Sequence, residues 1–346
     1  MARTRENRRI PVVLVSGFLG AGKTTLLNHL LRNNRGIRIG VVVNDFGSIN
    51  IDSMMVAGQV DSMVSLGNGC LCCAVDVADM DAMFDALASS SSNIDVIVVE
   101  ASGLAEPRNL IRLVLASDNP RIVYGGLVGV VDGVEFAATR TAHPEIDHHL
   151  RLADLLVVNK VDRLSEHDRT GLVESVRDIV GDVPILETTH GRVDAHLLFD
   201  VPERTADRSV ARQLSFDELL NEEDDHSTHL HAGYSSAVFV SGDPMDPRRF
   251  VELLESPSGD VYRSKGFVYF DVEGYRGKYV VNTVGRHIRM YSERWTADEP
   301  RVTRMVLIGT EIDTELAEVR LLDCVRRPGD ATDASAMLPV HRYTPS

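Results

Sequence analysis

Residues 17–25 read GFLGAGKTT. Glycines at 17, 20 and 22 let successive backbone N–H groups turn inward, and such a ring of amides at a helix start cradles phosphate oxygens. In that pattern Gly17, Gly20, Ala21, Gly22 and Thr25 wrap the phosphates, Lys23 reaches the β- and γ-phosphates, and Thr24 ligates Mg²⁺. The spacing GxGxxG of a dinucleotide loop does not occur in this segment. Further along, Asn159, Lys160 and Asp162 form NKVD at the end of an apolar run. A carboxylate there accepts two hydrogen bonds from guanine N1–H and its exocyclic amine, donors that adenine lacks. A strand-ending Asn–Asp turn would use the same residues.

Two acids stand where a catalytic magnesium site needs them. DVIVVEASG (95–103) carries Glu100 at the end of a buried run, as a Walker B strand carries its acid. Glu100 is expected to hold a magnesium-bound water or to orient the attacking one, unless it merely caps the next helix. Gly103 is expected to sense the γ-phosphate through its N–H. Asp45, in NDFG (44–47), begins the expected first switch loop near the metal. The catalytic set is thus Glu100, Lys23 and Asp45.

Three of the four cysteines, Cys70, Cys72 and Cys73, fall within GNGCLCC (67–73). That crowding makes no disulfide framework for a chain of 346 residues, but three thiolates close on one borderline ion if Gly67 and Gly69 turn the backbone. A fourth ligand must come from water, a partner or another side chain. Burial as small hydrophobes and a redox pair are the competing readings, the latter without CxxC spacing. His226, His229 and His231, beside four consecutive acids at 222–225, form either a secondary metal-collecting tract or a solvated linker. Cys324, alone on an apolar face, reads as core.

The elements that must position these groups follow from hydrophobic pattern. Runs at 11–17, 38–45, 95–103, 126–133, 154–162 and 184–191 are rich in Val, Ile and Leu without polar alternation, and helical stretches such as 23–34 and 167–180 separate them. Buried parallel strands alternating with helices predict a doubly wound α/β domain over 10–197, after a basic N-terminus at 1–9. An acidic linker is expected at 198–232. Five alternating strands and two helices then predict a smaller α+β domain over 233–330, with a loose tail at 331–346.

Composition sets outer bounds. Hydrophobic residues at 44% and charged residues at 25% describe a folded chain, and its length suits two domains. A surplus of 51 acids over 36 bases, a net charge of −15, argues against nucleic acid or an anionic membrane as partner. No run of about 18 apolar residues is present for a transmembrane helix. Clustered thiols point to a reducing compartment, the cytoplasm.

With these motifs in order, the chain resembles the CobW-like family of metal-handling P-loop GTPases, relatives of the urease and hydrogenase nickel-insertion GTPases. The resemblance runs from about Ile10 to Gly309 through GFLGAGKTT, NDFG with NID (50–52), GCLCC, EASG, ADLLVVNKVD, THG (189–191), RSKGF (263–267) and VLIG (306–309). It implies slow GTP hydrolysis and delivery of a divalent ion, zinc or alternatively cobalt, to a client apoprotein or cofactor pathway, with a homodimer allowed. The implied metal ligands map onto Cys70, Cys72 and Cys73. Two positions depart from the family pattern: Asp45 stands where many members carry Glu, and His149 where many carry Gln. Rival readings are a GTP-switched binding protein with a structural metal, a P-loop kinase, a redox sensor, and a cobalt-handling protein tied to cobalamin synthesis.

Overall fold

The computed structural model describes residues 9–34, 36–43, 62–65, 77–88, 94–103, 105–199, 235–257, 261–296, 299–310 and 312–344, with the backbone alone at 43 and 62–65. Seven strands form the first sheet: β1 (Ile10–Gly17), β2 (Ile39–Val43), β3 (Ser62–Ser65), β4 (Val96–Glu100), β5 (Ile122–Asp132), β6 (Leu155–Asn159) and β7 (Ile185–Glu187). Their order is β3-β2-β4-β1-β5-β6-β7, and every neighbouring pair is parallel. The strand order reverses at β1, flanked by β4 and β5, so its C-terminal end is the crevice where such sheets take ligands.

Period-two alternation explains why the strands need no polar face. Val13 and Val15 of β1 pack with Leu26, Leu27 and Leu30 of α1 (Lys23–Arg32). Val12 and Leu14 face the other way, onto Phe84 of α2 (Val77–Leu87) and Leu110 of α3 (Pro107–Leu115). A third cluster joins Val131, Leu156 and Val158 to α4 (Phe136–Ala142), α5 (Ile146–Arg151) and α6 (Glu166–Val180). Both faces are therefore covered, as near-continuous apolar strands require. The six expected strands are present. β3 is additional: SMVS is short and half polar, too weak a pattern to register.

Beyond the short α7 (Ala195–Leu198) the description resumes at β8 (Ser235–Ser241), and β9 (Val261–Val268), β10 (Lys278–Val284), β11 (His287–Glu293) and β12 (Thr303–Gly309) complete an antiparallel sheet of order β11-β10-β9-β12-β8. One face packs on α8 (Pro247–Glu255) and on the region of α9 (Thr314–Asp323) through Phe239, Phe250, Phe270 and Leu321. Cys324 is buried in the same cluster. The expected loose tail is corrected here. Residues 334–337 form a 3₁₀ turn, α10 (Leu338–His341) follows, and Ala336, Met337 and Val340 bury their side chains in this core. Proline at the first turn of α10 starts the helix where it was read as a breaker. The linker reading is corrected at its start too: Leu198 and Phe199 are buried against β1 and α1, and the rest, 200–232, lies outside the described residues.

The two sheets meet at the N-terminal ends of β5 and β6. Arg286, in the turn between β10 and β11, donates its N–H to the Asp154 carbonyl at 2.8 Å and a guanidinium N–H to the Val180 carbonyl at 3.1 Å. Gly285 before it has φ +54°, and a Cβ there would lie 1.7 Å from the Asp154 carbonyl oxygen. Only glycine brings the turn this close. Tyr262 inserts into the first core, its hydroxyl donating to the Ile185 carbonyl at 3.2 Å, while Arg263 donates to the carbonyls of His196 and Phe199.

Candidate functional site

The phosphate loop joins β1 to α1 at the sheet's switch point. Gly22 is the N-cap of α1 with φ +102°, and no side chain caps the helix. No capping side chain competes with a ligand at this helix start. A Cβ on Gly22 would lie 2.2 Å from Asn159 Nδ2, so the loop must stay bare where it meets the base-side strand. Lys23, 7% exposed, donates to the carbonyls of Gly17 at 2.9 Å and Phe18 at 3.2 Å. The loop thus holds a largely dry cation along its own rim. Thr24 Oγ1 donates to Glu100 Oε1 at 2.8 Å. Glu100 is 4% exposed at the end of β4, level with Val15 of β1. A hydroxyl and a buried carboxylate in contact at the foot of a phosphate loop are the donor types magnesium selects, so these residues fit a magnesium nucleotide.

On the base side, Asn159 is 2% exposed and acts as a tie. Its Nδ2 donates to the Ala21 carbonyl at 3.0 Å, and its Oδ1 accepts from the Gly191 N–H at 3.0 Å. The 189–191 loop is thereby bound to the phosphate loop. Lys160 adopts a left-handed φ of +66°, uncommon outside glycine, and its Nζ pairs with Asp132 Oδ2 at 2.6 Å. That pairing directs the lysine stem across the end of β5. Asp162 sits exposed in the 3₁₀ turn Val161–Arg163, open to a base. Gly103, at the exit from β4, approaches Leu19 so closely that a Cβ would lie 2.7 Å from the Leu19 N. The segment after Glu100 therefore rests directly on the phosphate loop.

Cys70, Cys72, Cys73, Asp45, His226, His229 and His231 lie outside the described residues. Among the described residues, no group of three His, Cys, Asp or Glu side chains is arranged to hold a metal.

A family model described as "CobW/HypB/UreG, nucleotide-binding domain" matches residues 11–187, and one described as "Cobalamin synthesis protein cobW C-terminal domain" matches 234–325. The chain belongs to the CobW family. Among its relatives is a Sinorhizobium sp. protein named zinc chaperone CobW, 33% identical over 358 residues, covering 92% of this chain and 98% of the relative. The Escherichia coli (strain K12) zinc chaperone YjiA is 28% identical, with 88% and 96% covered. A Dictyostelium discoideum zinc-regulated GTPase metalloprotein activator 1 is 37% identical, with 77% and 64% covered.

Within this CobW-family fold several site residues escaped the sequence reading. Asp132 is the partner of Lys160, and only its place at the end of an apolar run, level with Asn159, marked it. Gly191 stood in the THG motif without a role; its N–H is what Asn159 holds. His149, noted as a departure, pairs with Glu106 at 3.1 Å. That pair joins α5 to the N-cap of α3, two segments with no sequence signal of proximity.

Proposed function

We propose that this chain is a GTP-hydrolysing metal carrier. It binds zinc on Cys70, Cys72 and Cys73 and passes it to a client apoprotein. The observation that carries the nucleotide half is the Thr24–Glu100 hydrogen bond beside the Lys23 cation, in a loop tied by Asn159 to the base-side strand. The names of the relatives, zinc chaperones and a zinc-regulated GTPase, support the cargo, and the CxCC triplet supplies its chemistry. Three thiolates leave a tetrahedral ion one ligand short, and an open site releases its ion more readily than a closed one.

In hydrolysis Lys23 offsets charge on the β- and γ-phosphates and the amides of 20–25 hold them in place. Magnesium, held by Thr24 with Glu100 beside it, would supply charge neutralisation at the β- and γ-oxygens. Glu100 orients the attacking water, Gly103 reports the γ-phosphate, and Asp45 is the remaining catalytic candidate of this reading. Asp162 selects guanine. No arginine of this chain is assigned as a finger, so turnover without a partner is on the order of 10⁻⁴ to 10⁻² s⁻¹. With the corrections above, the GTPase unit runs from 10 to 199 and the second unit from 235 to at least 341; the compartment of this reading is the cytoplasm, where thiolates stay reduced. Among the described residues no helix is long and apolar enough to cross a membrane.

The thiolates lie in sequence between Asp45 and Glu100, both next to the γ-phosphate in this reading, so nucleotide state and metal affinity are linked. A coupling of roughly 1–3 kcal/mol acts equally in both directions. Zinc titration against a competing chelator, with GDP and with a non-hydrolysable GTP analogue, measures it. Expected is a roughly fivefold or larger difference in zinc affinity, lost when all three cysteines become alanine. Equal affinities, or zinc uptake that survives the triple substitution, would overturn the carrier reading.

A further inference from the structure

Asp162 carries guanine recognition in the proposed GTP site, yet no contact of its own side chain aims it. It is exposed in the 3₁₀ turn Val161–Arg163, and among the described residues no hydrogen bond or ion pair holds its carboxylate. Its direction is therefore set by the backbone of that turn. The turn is placed by Lys160, at φ +66° and ψ +25°, a left-handed conformation that a residue with a Cβ rarely adopts. From there the Val161 N–H reaches the Thr188 carbonyl at 3.3 Å, and the Arg163 N–H returns to the Lys160 carbonyl at 3.1 Å.

What keeps Lys160 in this conformation lies on the neighbouring strand. Asp132 ends β5 directly opposite Asn159. Its Oδ1 accepts from the Val134 N–H at 3.0 Å and the Glu135 N–H at 3.3 Å, which fixes the carboxylate. Its Oδ2 accepts from Lys160 Nζ at 2.6 Å, and the lysine and aspartate side chains are 26% and 10% exposed. A sheltered, charge-assisted hydrogen bond of this length is among the stronger contacts a lysine makes. Gly133 adds a second tie, its N–H donating to the Asn159 carbonyl at 2.9 Å. A Cβ at 133 would lie 2.9 Å from that same oxygen, so the approach needs glycine. The residue before the left-handed turn is thus fixed to β5 through its main chain, and Lys160 through its ammonium.

One dihedral links the two ends. With β6 held, rotation about the Lys160 N–Cα bond swings its Cβ and its carbonyl carbon together. The angle that sends the lysine stem across β5 to Asp132 is therefore the angle that sends the chain into the 161–163 turn. We propose that Asp132 is a positioning residue for guanine selection: by holding Lys160 it holds the turn that aims Asp162. This rests on the proposed GTP site and goes beyond it, because base selectivity then depends on a residue outside the NKVD motif.

Competition binding of GTP and ITP to the full chain provides the test, since the two share phosphates and ribose and differ by the exocyclic amine. Asp132→Asn keeps an acceptor for Val134 and Glu135 and loses the charge that holds Lys160. It should lower the GTP-over-ITP preference about threefold or more, part of the roughly tenfold or greater factor that a carboxylate–amine bond supplies. Glycine takes a left-handed φ without strain, so in a Lys160→Gly background Asp132→Asn should leave the ratio within about twofold. A loss shared equally by GTP and ITP would overturn the proposal, because a lysine that only touches base or ribose weakens both. So would a fall in the ratio that persists undiminished on the glycine background. Should Asp132→Asn not fold, Lys160→Met breaks the same pair from the other side, and the same fall is expected. A parent chain that binds GTP and ITP alike would overturn the guanine reading and this proposal with it. A parent preference that survives the loss of the pair overturns the proposal alone.

Discussion

Replacing Asn159 by alanine tests whether the nucleotide site is held together from behind. The side chain is 2% exposed and makes two hydrogen bonds of 3.0 Å, one to the phosphate loop and one to the 189–191 loop. Each is worth about 1 kcal/mol net, and a group left dry and unpaired adds roughly 1–3 kcal/mol, so the loss is about 3–5 kcal/mol. For a unit of this size 1 kcal/mol moves the melting temperature by about 2–4 °C, which predicts a fall of roughly 6–20 °C. Calorimetry follows the transition, and a fluorescent GDP reports binding in the same samples. Asn159→Asp sharpens the test: its carboxylate still accepts from Gly191 but sets an oxygen against the Ala21 carbonyl. Both variants should lose stability and nucleotide affinity together. An Asn159→Ala protein that melts within about 1 °C of the parent but no longer binds GDP would refute the reasoning. Asn159 would then be a ligand contact, with no structural tie to explain.

Two further substitutions probe the base site and the seam. Asp162→Ala should erase the preference for GTP over ITP, which lacks only the exocyclic amine; the charged hydrogen bond to that amine is worth roughly 1.5–3 kcal/mol, tenfold or more in competition binding, and an unchanged GTP/ITP ratio would remove Asp162 from the site. Burial at the seam pushes the Asp154 carboxyl up to about 6, although the Leu127 N–H at 2.8 Å and the Tyr124 hydroxyl at 3.2 Å both donate to it. A raised folded value means its favourable contribution is complete below the ordinary carboxylate range and is lost as pH rises through about 6, up to about 3 kcal/mol in all. Relative to Asp154→Asn, the parent should therefore lose stability between pH 4 and 8, and a constant difference would refute this. His287, stacked edge-on against Tyr124 at 5.1 Å, is pushed down to about 4 by burial; its contribution is lost in the opposite direction, as pH falls, but it is common to both proteins and cancels.

How far the sequence carried these conclusions depended on the kind of signal. The sheet was legible because its strands are buried on both faces and read as unbroken Val/Ile/Leu runs, whereas β3, with serine at both ends, was not. The phosphate loop was legible because its chemistry is contiguous: Lys23 and Thr24 stand beside the glycines that shape it. What tertiary contact creates stayed hidden. Nothing local in DG (132–133) shows that Asp132 will hold Lys160, 28 residues away, or in the β10–β11 turn that Gly285 will meet Asp154. The tail misled for a related reason. Its proline and glycine read as breakers, yet Met337 and Val340 found a core that only the folded second domain provides.

The same two strands serve both ends of the molecule. β5 and β6 finish at Asp132 and Asn159, where Lys160 and the phosphate loop are held, and at their starts Tyr124 and Asp154 grip the β10–β11 turn. Both strands are buried along most of their length, and close-packed interiors resist gradual deformation. A change at the base site therefore reaches the second sheet as a rigid displacement of β5 and β6 or not at all through this path. The Asp154 contacts make such a displacement costly, because Gly285 leaves no slack: even a methyl group would collide with the carbonyl it faces. The second domain thus acts as a brace on the base half of the sheet. The half that carries Glu100 and leads toward the thiolates, β4 and β2, lies on the other side of β1, beyond those contacts. Movement driven by phosphate has its freedom there.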